Sequence, residues 1–146
     1  MNRHRLAACV ALFFSGQFGY AETVSSSSSR ESIEAFLATK LTAWQRVLNL
    51  EEWKVTLVLA RRAELKNGTI GGIKWDKGKK TAVMHILDPA DYSVSPEAML
   101  EDMEFTVVHE LIHLELASLP KSERTRSTEE AAVNNLARAL LARSRQ

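Results

Sequence analysis

The chain of 146 residues holds one cysteine, three prolines and six glycines, and its 19 Lys+Arg against 18 Asp+Glu leave a formal net charge of +1. Each scarcity excludes something. A lone cysteine, Cys9, rules out an intrachain disulfide framework and any cysteine-rich zinc module. Balanced charge leaves no whole-chain basic field to draw in nucleic acid, so no nucleic-acid partner is expected. The apolar run Leu6–Phe14 is nine residues long, far short of the ~20 that span a bilayer. Histidine is scarce too, with only His4, His85, His109 and His113. Any metal site must therefore be built from these and from Asp or Glu. What remains, 45% hydrophobic and 25% charged, is the composition of one ordinary globular domain.

The amino terminus reads as an address. Arg3, His4 and Arg5 precede Leu6–Phe14, and Gly19-Tyr20-Ala21 supplies small residues for cleavage near Ala21. A basic start, an apolar stretch and a small-residue exit make the secretory pattern. Residues 1–21 are expected to be a signal peptide, and the protein periplasmic or secreted. The alternative is an apolar helix at the start of a cytoplasmic protein. Leu6-Ala7-Ala8-Cys9 looks like a lipoprotein box, but the apolar core follows Cys9 where lipidation needs it to precede. Residues 22–30 contain the five-serine run Ser25–Ser29 and read as a flexible linker. The folded unit then spans 31–146, about 115 residues, enough for one modest core.

Ile33, Phe36, Leu37, Leu41, Trp44, Val47 and Leu48 recur at helical spacing, which predicts a helix over Glu31–Leu50. Trp53–Ala60 alternates and predicts a half-buried strand. Thr69–Trp75 and Thr81–Leu87 flank Asp76-Lys77-Gly78-Lys79-Lys80, a suitable hairpin connection. Gly71-Gly72 inside the first of these strands suggests a bulge or a close backbone approach. Ser95, Pro96 and Glu97 suit the cap, first position and positive dipole end of a long helix. That helix runs to about Ser118, and Leu119-Pro120 stops it. Lys121–Thr125 is a polar connection. A final helix opens at Ser127 or Thr128, with Val133, Leu136, Ala137, Leu140 and Leu141 as its apolar stripe. The expected class is α+β: a helix, a small three-stranded sheet with a hairpin, then two helices.

Inside the long helix lies His109-Glu110-Leu111-Ile112-His113. At 3.6 residues per turn the two histidines stand one above the other on the same face. Two imidazoles so placed can aim ring nitrogens at one ion, and Glu110, about 100° away around the helix, can reach a water there. This is the spacing of metal-dependent hydrolysis, with two His on zinc and the Glu as general base and then proton donor to the leaving amine. The same residues could sit on an exposed helix and mean nothing. Val107, Val108, Leu111, Ile112 and Leu114 argue for burial, where unpartnered imidazoles and carboxylates would cost several kcal/mol. One zinc ion supplies the missing partner.

A catalytic zinc takes three protein ligands and an open position. The metzincin solution needs glycine at 116 and histidine at 119, but the chain has Leu116 and Leu119. A Glu from the next helix is the other common solution, and both Glu129 and Glu130 qualify. Glu130 has a competing role, because Ser127-Thr128-Glu129-Glu130 is also a capping box. His85 is a less favoured substitute. His85 and Tyr92 are candidates for stabilising an oxyanion, whereas Trp44, Trp53 and Trp75 read as core or hairpin packing.

HELIH followed by Glu130-Ala131-Ala132-Val133-Asn134-Asn135-Leu136-Ala137-Arg138-Ala139-Leu140-Leu141 resembles compact gluzincin-type zincin metallopeptidases, including the phage-repressor-cleaving and radiation-response group. The resemblance covers roughly Phe105–Leu141, with departures at Ala132, Val133 and Leu136. It implies a zincin-like minimal fold, Glu130 as third zinc ligand, and Asn134 as the group that steadies a ligand histidine. It also implies a peptide or protein substrate, held in extended form along a sheet edge, for which Thr81–Leu87 is the expected strand. The rival expectations are a non-catalytic zinc-stabilised binding module and a small secreted interaction protein without metal.

Overall fold

Buried apolar side chains at Ile33, Leu37, Leu41 and Trp44 turn one stripe of the first helix inward. The computed structural model describes residues 20–66, 68–118 and 126–146. The expected leader, with Cys9, therefore lies outside the described residues except for Tyr20 and Ala21. Helix α1 covers Tyr20–Val47, so the backbone across the serine-rich stretch is helical where the sequence suggests a tether. The helix ends as Asn49 takes a left-handed φ of 54°, a conformation asparagine tolerates at helix ends. Gln45 Nε2 then ties the following turn by donating to the Leu50 and Trp53 carbonyls at 3.0 and 2.8 Å.

Three strands follow: β1 Lys54–Ala60, β2 Gly71–Asp76 and β3 Thr81–Leu87. Their order in the sheet is β1-β3-β2, with β1 parallel and β2 antiparallel to β3. Thr81–Leu87 is thus the middle strand, which corrects the expectation that it forms the edge. Its burial explains the placement: Ala82, Met84, Ile86 and Leu87 are all buried, and a strand covered by neighbours on both sides carries the most apolar sequence. The edge next to the hairpin is β2.

Register places Leu57, Met84 and Ile73 side by side, with Val55–Ala82–Trp75 one step along. This is the inner face, against which the helices pack. Val58 and Val83 stand on the opposite face and remain exposed.

Helix α2 (Pro96–Glu115) begins where Ser95 Oγ accepts the Ala98 N–H at 3.3 Å and Pro96 takes the first turn. From Met103 onward it is buried on nearly every side, because it lies between the sheet, α1 and helix α3 (Arg126–Ser144). Met103, Val107, Leu111 and Leu114 join Met84, Ile86, Leu37 and Trp44 in one core, and α3 adds Val133, Ala137 and Leu141. Ser127 falls inside α3, not at its cap.

Ion pairs help tie α1 to the elements packed against it. Glu104, buried on α2, accepts from Trp44 Nε1 and from Lys40 Nζ, both at 2.9 Å. Asp88, after β3, caps the short turn Pro89–Asp91 through the Ala90 N–H and pairs with Arg30 of α1 at 2.6 Å.

Candidate metal centre

The buried half of α2 faces α3 across one end of the sheet, and the polar residues of both helices meet there. The imidazoles of His109 and His113 stack one turn apart, with ring centroids 4.8 Å apart and planes at 68°. Their Nε2 atoms are 3.1 Å from each other. Glu130 of α3 reaches in from above: Oε1 lies 3.3 Å from His113 Nε2, and Oε2 lies 3.4 Å from His109 Nε2.

These separations can be tested against an ion. Ligands ~2.0–2.1 Å from a tetrahedral zinc stand ~3.3–3.4 Å from one another, which is the spacing of this nitrogen and oxygen donor set. One donor atom from each of His109, His113 and Glu130 lies within 4.8 Å of the others, so the three residues could hold one ion.

Glu129 has a different place. Its Oε1 lies 3.2 Å from Nδ1 of His113, on the outer side of the ring. An Nδ1–H donated to that carboxylate leaves Nε2 with its lone pair free, the tautomer a metal ligand needs. Adjacent residues differ by about 100° around a helix, so only one of the two glutamates can face the Nε2 pair.

His109 is held less completely. Its Nδ1 is buried and makes no hydrogen bond of good geometry. The Asn134 side chain interacts with the ring and favours its charged form, as does Glu130. Burial and the adjacent His113 outweigh both, so the His109 pKa falls and the ring is kept neutral. A neutral imidazole is a competent ligand.

Glu110 stands apart from the donor cluster. Its side chain is buried, with the residue 8% exposed. Burial, with help from the negative charge of Glu130, pushes its pKa up to about 7. A carboxyl at that value can both take and give a proton near neutrality.

All these groups line one cavity of about 700 Å³. Its polar wall is His109, Glu110, His113, Glu129, Glu130 and Asn134, and the facing wall comes from the edge strand β2 and the preceding loop. Trp75 and Phe105 also line it, both half-buried. Phe105 lies one turn before His109, with ring centroids 6.0 Å apart, and the Arg138 guanidinium sits over its ring at 5.8 Å. A half-buried aromatic wall beside a polar cluster suits an apolar ligand side chain.

Two expected residues are elsewhere. His85 lies on the sheet face opposite Met84 and Ile86 and does not line the cavity. Tyr92 donates its hydroxyl to Asp102 at 2.8 Å, and burial together with that bond raises its pKa well above the usual tyrosine range. Neither is brought to the site. Trp44 and Trp53 are core residues and Trp75 packs against the core, as expected, and Trp75 lines the cavity as well. Phe105 and Thr106, which also line it, escaped the sequence reading. They precede His109 and Glu110 by four residues each, and that spacing alone marks them as neighbours on the same helix face. No protein-family model, no curated protein and no solved structure matches this chain.

Proposed function

We propose that this chain is a zinc-dependent hydrolase of the minimal zincin type, and that it cleaves peptide bonds. The observation that carries the reading is the convergence of His109, His113 and Glu130 donor atoms, all within 4.8 Å of one another, with buried Glu110 in the same cavity. In this reading those three residues hold one ion. Zinc there supplies Lewis acidity, which lowers the pKa of water toward ~7 and polarises a carbonyl. Glu110 takes the proton of the attacking water and hands it to the leaving amine, roles open to a buried carboxyl lining the same cavity. Glu129 and Asn134 orient His113 and His109.

The substrate lies along β2. Among the described residues only one side of this strand is paired, in the sheet β1-β3-β2, and its residues Gly71, Gly72, Ile73 and Trp75 line the cavity. An extended peptide adds main-chain hydrogen bonds to such an edge, while its side chains fill alternate pockets. Residues 1–21 export the protein to the periplasm or the exterior, where such a substrate is a peptide or an unfolded protein segment.

Metal analysis of the purified protein, combined with peptide hydrolysis, tests the reading. Wild type is expected to carry one zinc ion per chain. Glu110→Gln keeps the ion and loses about 10²–10⁴-fold in kcat, while His113→Ala loses the ion. Full hydrolysis by Glu110→Gln sinks the catalytic assignment. An ion that stays bound in a wild type inert toward all peptides converts the reading to a zinc-stabilised binding module.

A further inference from the structure

Gly71, the first residue of β2, sits where the strand, the active helix and the neighbouring strand meet. A Cβ there would collide with Thr106 Cγ2, stand 3.1 Å from the His85 carbonyl oxygen and lie 3.6 Å from Glu110 Oε1. Its φ is not in the left-handed region, which among the described glycines only Gly68 occupies. Backbone freedom therefore does not explain this glycine. Space does.

Thr106 cannot easily yield that space. It precedes Glu110 by one helical turn on the same face, and its Oγ1 donates to the Asp102 carbonyl at 3.0 Å. That bond holds the β-branched side chain in one rotamer and keeps Cγ2 against the strand. On the other side, Gly71 is paired with Ile86 in the sheet, and the Leu87 N–H donates to the Ile70 carbonyl at 2.9 Å. The contact is thus pinned from both elements. Neighbouring Gly72, with nothing near its missing Cβ, has no such constraint.

We propose that Gly71 is a positioning residue: the side chain it lacks lets β2 lie directly against the Thr106 turn, and this contact sets how far the substrate-holding strand stands from the Glu110 carboxylate. The inference rests on Glu110 being the base of the proposed hydrolysis. An added methyl forces strand and helix apart, so that a peptide lying on β2 is carried away from Glu110 while His109, His113 and Glu130 keep their places. A misplacement of about 1 Å at a reacting centre can cost 10²-fold in rate.

The experiment is a double-mutant cycle with Gly71→Ala and Thr106→Ser, the second removing Cγ2 while keeping the hydroxyl. Gly71→Ala is expected to keep one metal ion per chain and lose about 100-fold in kcat with little change in KM. Gly71→Ala/Thr106→Ser is expected to recover most of that loss, limited by the remaining approach to the His85 carbonyl. Crystal structures of the metal-free proteins give a reading independent of turnover: the Glu110 carboxylate moves relative to β2 in Gly71→Ala and returns in the double variant. Wild-type kcat in Gly71→Ala overturns the proposal, as does a double variant no better than the single one. If Gly71→Ala does not fold, a folded double variant supports the contact and an unfolded one overturns it. If wild type hydrolyses nothing, the proposed activity fails, while the structures still decide whether Gly71 places Glu110.

Discussion

Two groups of charged residues in this protein behave in opposite ways. Around the turn after β3, every acid has a base: Asp88 meets Arg30 at 2.6 Å, and Asp91 meets Arg61 at 2.6 Å and the Arg62 N–H at 2.7 Å. Burial works against ionised Asp88, but the Ala90 N–H and Arg30 hold its pKa low. Arg61, then the Arg62 N–H, bring Asp91 to about 2. In the cavity the carboxylates of Glu129 and Glu130 meet two imidazoles, and Glu110, lining the same cavity, is pushed up to about 7. Matched charges stabilise the chain that carries them. An acid-rich cavity where His109 Nδ1 makes no hydrogen bond of good geometry has charge to spare for a cation, as the proposed function requires.

The strongest way to break this contrast is to supply a cation. Zinc at 1,000 times its dissociation constant should raise the stability of the metal-free protein by about 4 kcal/mol, read as a rise in melting temperature that chelation reverses. The Arg30–Asp88 region should be indifferent to zinc, and Glu130→Gln should blunt the effect. Next in size, Asn134→Ala is expected to weaken zinc binding about 10–100-fold, measured by competition with a chelator. An unchanged affinity would remove Asn134 from the support of His109.

Acid sharpens the contrast further, because the two groups have opposite signs. Asp88 and Asp91 bind protons less tightly when folded, so their contribution is complete above the ordinary carboxylate pKa. For Asp91 it is lost as pH falls from about 4 toward about 2. Glu110 binds its proton more tightly when folded. In metal-free protein its contribution therefore grows as pH falls from about 7 toward about 4.5. Urea titrations across pH should show that rise as the difference between wild type and Glu110→Gln, since His109, with its lowered pKa, works in the opposite direction. The smallest effect is expected at the surface: Arg30→Ala should cost about 1 kcal/mol, because the guanidinium is half-exposed. A loss several times larger would show that Asp88 is buried more effectively than its neighbours suggest.

Much of this arrangement was legible in the chain, because it depends on local periodicity. The spacing of His109 and His113 fixes their common face, and Ser95-Pro96 marks the start of α2 within a residue. The alternation of Val55, Leu57 and Leu59 marks β1. What local patterns do not carry is the choice among equivalent partners. Glu129 and Glu130 are both offered by α3, and only the approach of that helix to α2 brings the Glu130 carboxylate within 3.4 Å of both Nε2 atoms. Strand order is likewise a tertiary decision, although the buried run Ala82, Met84, Ile86 and Leu87 held a clue that β3 is the centre. Helical backbone through the serine run was hidden because serine favours neither outcome strongly.

One consequence follows from the donors being split between helices. The body of the protein holds α3 through Val133, Ala137 and Leu141, and Glu130 stands near the beginning of that helix, ahead of all three. An ion shared with His109 and His113 would staple shut the end that these apolar contacts do not reach. Backbone amides early in α3 should then exchange with solvent far more slowly in the loaded protein, making the last helix a reporter of metal supply.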